Sequence, residues 1–293
     1  MINTIGFGIY RMANILIAGC GDIGNRLGVN LAADGHKVWG LKRNTATLAP
    51  QIQPLPGDLQ RPDNLNLPQE QLDYVVYSAA ADAYSEAHYR AAYVDGVANL
   101  LTVLAAAGQQ PRRILLVSST SVYPQQQGEW VDEDSPAVPT GFSGRLIREG
   151  EELLWNGPYP ATVVRFGGIY GPGRTRLIDS VRDGTARCVQ GVYSNRIHSQ
   201  DCARALQHLM ALDEPGLLYL GVDDDPALSC DVMCWLAERL DVAGPQVVAH
   251  RDDAQKRQPG NKRCRNTRLR ASGFEFLYPG YQQGYTAILK GST

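Results

Sequence analysis

Six residues near the amino terminus, Gly19-Cys20-Gly21-Asp22-Ile23-Gly24, set glycines at the first, third and sixth positions of a short run. Glycines at that spacing can hold a phosphate chain. Gly19 permits a tight turn, Gly21 lets the backbone approach a diphosphate, and Gly24 lets a following helix pack against the preceding strand. Asp22 and Ile23 fall in the first turn of that helix, where free N–H groups and the positive end of the dipole favour an anion. An apolar run at 14–18 precedes the motif, a helix-like stretch at 25–33 follows it, and a second apolar run occupies 36–41, completing a βαβ unit. An acid after the second strand would accept hydrogen bonds from a ribose 2′-hydroxyl and repel a 2′-phosphate, but here stands Lys42-Arg43-Asn44. The two cations predict NADP(H) rather than NAD(H). Arg43 is the preferred phosphate ligand because its planar fork can bind in a bidentate way, with Lys42 in support.

These residues need a frame. Apolar strand-like runs recur at 74–77, 114–117, 161–165 and 217–220, with helix-like stretches between most of them. Several are continuous rather than alternating, as in strands buried on both faces. The pattern predicts an α/β fold, a Rossmann-type doubly wound parallel sheet with a smaller C-terminal substrate lobe. The rhythm breaks after Tyr170 at Gly171-Pro172-Gly173, Asp225-Pro226 and Gly244-Pro245. The expected division is therefore 12–168 plus about 197–222 for the dinucleotide domain, with 169–196 and 223–293 forming the second lobe. Residues 1–11 read as an extension before a second possible start at Met12.

The chain holds 28 Lys and Arg against 30 Asp and Glu, a net charge of −2, which excludes a general polyanion binder. The total hides an imbalance: residues 251–270 carry +6 and residues 1–250 carry −8. The basic island reads either as solvated surface or as an anion-binding wall of the active cleft. It lacks interleaved stacking aromatics, so no nucleic-acid partner is expected. No apolar run is long enough to span a membrane. The six cysteines, Cys20, Cys188, Cys202, Cys230, Cys234 and Cys264, show no C-x-x-C pair and read as reduced thiols of a cytoplasmic protein. Cys230 and Cys234 are expected to face the core of a helix rather than a metal, and no metal site is expected.

Further segments resemble the extended short-chain dehydrogenase/reductase family, which includes sugar-nucleotide epimerases and dehydratases. Gly57-Asp58-Leu59 is similar to its adenine-contacting segment, and Ser78-Ala79-Ala80-Ala81 to the stretch beneath the cofactor. Val117-Ser118-Ser119-Thr120-Ser121-Val122-Tyr123 resembles the catalytic serine segment and implies that Ser119 is the catalytic hydroxyl, with Ser118 beside the cofactor. Arg165-Phe166-Gly167-Gly168-Ile169-Tyr170-Gly171-Pro172 is similar to the segment lining the nicotinamide pocket, which implies cofactor contacts from Phe166, Gly168 and Ile169. Arg196-Ile197-His198-Ser199-Gln200-Asp201 resembles a later family element.

The likeness fails at the family's Y-x-x-x-K pair. Aligning Glu151-Glu152-Leu153-Leu154 with the usual helix ending puts Ser143 at the tyrosine and Ile147 at the lysine, and Tyr93 replaces the family asparagine. Together with Glu129-Trp130-Val131-Asp132-Glu133-Asp134 and Gly260-Asn261-Lys262-Arg263-Cys264, this resembles the atypical, YeeZ-like branch. Substitutes for the missing groups are sought among Ser119, Tyr123, Ser143 and Arg145, with Tyr170 and His198 as further candidates. Arg174, Arg196, His198 and Lys262 are expected to bind a small anionic substrate. The acidic run at 132–134 reads as a cap for the next segment. Two functions follow: an NADP(H)-dependent oxidoreductase or epimerase with a degenerate catalytic tetrad, or a non-catalytic sensor that binds the dinucleotide. The family's helix-bundle dimers imply a homodimer.

Overall fold

The computed structural model describes residues 12–249 and 260–291. The extension at 1–11 and the island cations Arg251, Lys256 and Arg257 lie outside the described residues.

The first half winds β1 (Asn14–Ala18), α1 (Asp22–Ala33), β2 (Lys37–Lys42), β3 (Gln53–Pro56) and β4 (Tyr74–Tyr77). A helical stretch follows, made of α2 (Glu86–Tyr89), a π-helical turn at Arg90–Asp95 and α3 (Gly96–Ala106). Then come β5 (Arg113–Ser119), a short β6 (Glu129–Val131), α4 (Phe142–Trp155) and β7 (Ala161–Phe166). The second half contains β8 (Gly168–Tyr170), α5 (Arg176–Arg182), β9 (Arg187–Cys188), β10 (Tyr193–Ser194), β11 (Arg196–His198) and α6 (Ser199–Ala211). It ends with β12 (Leu218–Gly221), β13 (Ala227–Leu228), α7 (Ser229–Leu240), β14 (Gln246–Val247), β15 (Lys262–Cys264), α8 (Thr267–Ala271) and α9 (Tyr281–Gly291).

Seven strands form one parallel sheet in the order β12-β7-β5-β4-β1-β2-β3. The order reverses direction at β1, the switch point at which doubly wound sheets open a crevice beyond the strand ends. Alternation along β1 builds a core on each face. Ile15 and Ile17 pack with Leu27 and Leu31 of α1 and Leu206 and Leu209 of α6. Leu16 and Ala18 pack with Val97, Leu100 and Leu104 of α3 and Leu154 of α4.

A third cluster joins Tyr170, Ile178 and Val181 to Val232, Met233 and Leu236 of α7 and Tyr285 and Ile288 of α9. The carboxyl-terminal segment also serves the main sheet, since Leu269 and Phe274 belong to the α1/α6 core.

Two cysteine expectations are corrected. Cys188 and Cys230 form a disulfide, with Cα atoms 5.3 Å apart, because β9 lies against the start of α7. Their separation of 42 residues hides that contact in the sequence. Cys234 is exposed, because α7 buries Val232, Met233, Leu236 and Ala237 and leaves position 234 on the other face. Among the described residues no helix is long and apolar enough to cross a membrane.

Candidate functional site

The glycine turn is fixed by backbone bonds: the N–H groups of Gly19 and Cys20 both donate to the Leu41 carbonyl, at 2.9 and 3.0 Å. Gly19 has φ +80°, and a Cβ there would lie 2.4 Å from Ala79 Cα, so no other residue fits. Gly24 packs against Ile17, where a Cβ would meet Cγ2 at 2.8 Å. At Gly21 the space is open, its nearest neighbour being Gly19 O at 3.9 Å. No side chain caps α1 at Gly21, which leaves its first-turn N–H groups for a ligand.

This turn borders a cleft of about 640 Å³ at the carboxyl ends of β1, β2, β4, β5 and β7. Every residue expected to touch the dinucleotide lines it except Gly24, which holds the helix to the strand instead. Tyr93, Ser119 and Arg174 line it too. The open backbone at Gly21, the uncapped helix and the volume of the cleft fit a dinucleotide. At one end Arg43 pairs with Asp82 at 2.8 Å, and Lys42 Nζ donates to Thr47 Oγ1 at 2.8 Å. The Asp82 carboxylate holds the Arg43 guanidinium further above its ordinary range. Any 2′-phosphate there must share Arg43 with that acid.

A second pocket of about 530 Å³ adjoins the first, and both are lined by Gly167 and Gly168. Ser143 lines it from the start of α4, and Tyr84, Ser121, Tyr193 and Asn195 contribute further walls. Lys262 reaches it because β15 pairs with β6; its buried ammonium donates to the Tyr123 carbonyl at 3.2 Å. In the lysine position of the family pair, Ile147 is buried with Val122, Tyr123 and Val131, and Tyr89 and Tyr93 pack against them.

Tyr123 lines the second pocket, but its hydroxyl is engaged by the protein itself. That OH accepts from Arg165 Nη1 at 2.8 Å and donates to the Asp132 carbonyl at 2.8 Å. Burial pushes the phenol up to about 12 despite the adjacent Arg165 charge. Arg165 in turn grips Glu151 through Nε (2.8 Å) and Nη2 (2.6 Å), and the Ser118 hydroxyl also donates to Glu151. Ser118 thus borders the cleft while its side chain is committed to the core. Glu151 and Arg165 fall outside the site residues expected from the sequence. Their signal is a charged residue within the fully buried β7 and another on the buried stripe of α4.

Five other candidate residues lie elsewhere than expected. Arg145 is exposed and donates to the Thr140 carbonyl at 2.9 Å, because the buried stripe of α4 runs through positions 143, 146, 147, 150, 151 and 154 on another face. His198 is 2% exposed; its Nδ1 accepts from Gln200 N–H at the start of α6, and its ring lies against Tyr170 and Tyr278. Burial lowers it to about 4, so it is a neutral cap rather than an acid–base group. Arg196 is buried, donates to the Ser194 carbonyl, and bonds Tyr285 beside Asp223. Arg174 lines the dinucleotide cleft, not the second pocket. Tyr170 is also committed, packed in the third core cluster with its hydroxyl directed to the Gly280 carbonyl.

Most of the described cations of the basic island serve as fastenings. Arg263 stacks over Trp130 and Tyr193, and Arg265 over Trp130. Arg268 pairs with Asp134, and Arg270 with Asp224. Among its described cations, Lys262 alone lines the second pocket. In the acidic run, Asp132 closes a turn by accepting from Asp134 N–H and the Ser135 hydroxyl. Glu133 accepts from the Leu220 N–H of the edge strand. Among the described residues no group of three His, Cys, Asp or Glu could hold a metal.

The sheet order and the glycine turn at its switch point define a protein of the Rossmann class. The NAD dependent epimerase/dehydratase family model matches residues 15–216, and the chain belongs to that family. A Methylobacillus flagellatus protein, provisionally described as an NAD-dependent epimerase/dehydratase, is 37% identical over 96% of this chain and 99% of its own, with a TM-score of 0.80. Human epimerase family protein SDR39U1 (isoform 2), solved with NADPH, is 19% identical over 94% of this chain and 99% of its own, at TM-score 0.78. Bordetella bronchiseptica WbmG, solved with NAD and UDP, is 18% identical over 96% of this chain and 94% of its own, at TM-score 0.77. A comparison with curated proteins returns no match.

Proposed function

We propose that the chain is an NADP(H)-dependent oxidoreductase or epimerase acting on a small anionic substrate of the sugar-nucleotide type. The observation that carries this reading is the junction of two clefts at Gly167 and Gly168, one fitting a dinucleotide and the other holding a buried lysine. Lys42 and Arg43 would hold the 2′-phosphate, and the turn at Gly19–Gly21 the diphosphate. The bound nicotinamide supplies hydride transfer; the chain's own residues position it and manage the proton. Lys262 would bind the anionic group of the substrate, and Ser119 and Ser143 would hold or relay a proton. The solved structures with NADPH and with NAD and UDP support a dinucleotide beside an anionic partner.

Loss of NADPH absorbance against carbonyl and sugar-nucleotide panels tests this reading. Turnover that falls at least about tenfold in Ser119→Ala or Ser143→Ala supports it. Inactivity on every panel, with both variants binding ligands as the unmodified chain does, contradicts it. The apolar burial of Ile147 favours a second reading, a sensor that binds the dinucleotide without chemistry. A sensor requires that NADPH and NADP⁺ differ in affinity or in their effect on the protein's conformation.

A further inference from the structure

The segment after β8 turns back toward the glycine cradle. Gly171 and Gly173, both at positive φ, shape this turn, and Arg174 N–H donates to Gly171 O. Its arginine meets the first turn of α1: Arg174 Nε lies 2.7 Å from Asp22 Oδ2. The other oxygen of the same carboxylate, Oδ1, takes Arg26 Nε at 2.7 Å. Arg26 Nη2 also donates to the Pro172 carbonyl at 3.0 Å, so the turn is fastened to α1 twice. Asp22 therefore holds one guanidinium from its own helix and one from the second lobe, and the trio carries a net positive charge.

A carboxylate beside the open end of a helix is a poor neighbour for a diphosphate unless cations screen it. Arg174 lines the same cleft as Gly19, Gly21, Asp22 and Ile23, and its side chain remains 39% exposed. We infer that Arg174 is a diphosphate ligand of the dinucleotide, delivered from the second lobe and poised by Asp22. This inference rests on the dinucleotide reading above and goes further, because it makes cofactor binding a clamp between the glycine turn and the turn at 171–174. A guanidinium can bond Asp22 and a phosphate oxygen together because its N–H groups fan out in a plane.

The test is calorimetric titration of the unmodified chain, Arg174→Ala and Arg174→Gln with NADPH, ADP-ribose and adenosine 2′-monophosphate. Thermal melts show that each variant is folded. The expected result is that both variants bind NADPH and ADP-ribose about tenfold more weakly or worse, the loss typical of one charge-assisted contact. Adenosine 2′-monophosphate, which lacks the diphosphate, should bind all three proteins alike. Unchanged affinity for NADPH and ADP-ribose in the variants overturns the inference and leaves the dinucleotide reading standing, as does an equal loss for all three ligands. An unmodified chain that binds none of the three overturns both.

Discussion

Tyr123 sits four residues after Ser119 and has the right chemistry for a proton donor, yet its hydroxyl is held between Arg165 and the Asp132 carbonyl. Tyr123→Phe should therefore cost about 1–2 kcal/mol of stability in a urea melt and change turnover by no more than about twofold. A large loss of turnover with unchanged stability would restore Tyr123 to the chemistry. The partner is the reason the sequence misleads: Arg165 lies 42 residues away, and spacing along the chain does not show which way a phenol points. His198 is a similar case, because a histidine buried against two tyrosines and one presented to substrate have the same local sequence. Gly19 and Gly21 were legible because their work is local: a turn and an open backbone follow from the absence of a side chain.

At the scale of elements, the strands of the sheet and α1 could be read from periodicity, since burial on both faces leaves continuous apolar runs. What α4 packs against could not. Its Gly150 faces the π-helical turn so closely that a Cβ would lie 2.1 Å from the Tyr93 carbonyl. Gly150→Ala removes a weak helix former but forces backbone apart, so the expected outcome is a loss of about 1–3 kcal/mol in denaturant melts rather than a gain. A stabilised variant would contradict this packing. The basic island shows the same limit. Its charge was plain in the sequence, but the acids and aromatics that engage Arg263, Arg265, Arg268 and Arg270 arrive from other elements.

For the whole molecule, the buried His198 ties stability to pH. Its folded value of about 4 lies below the ordinary 6.5, so the unfolded chain takes up the proton first. Stability is complete above about 6.5 and falls as the pH drops toward 4, by about 1.4 kcal/mol per pH unit. Asp223 acts with the opposite sign, since burial raises its carboxyl to about 8. The two effects overlap, so the informative quantity is the difference between the unmodified chain and His198→Asn, which keeps an N-cap acceptor without the titration. That difference should rise with pH between 4 and 6.5; a flat difference would show that His198 is not held neutral. The proposed function gives these parts one purpose, a dinucleotide cleft whose adenine end would carry Lys42 and Arg43. Fluorescence titration with NADPH and NADH, on the unmodified chain and on Arg43→Asp, tests that claim most directly. The expected result is NADPH bound at least about tenfold more tightly by the unmodified chain, with the preference lost or reversed in the variant. NADH bound as tightly as NADPH by the unmodified chain would contradict it.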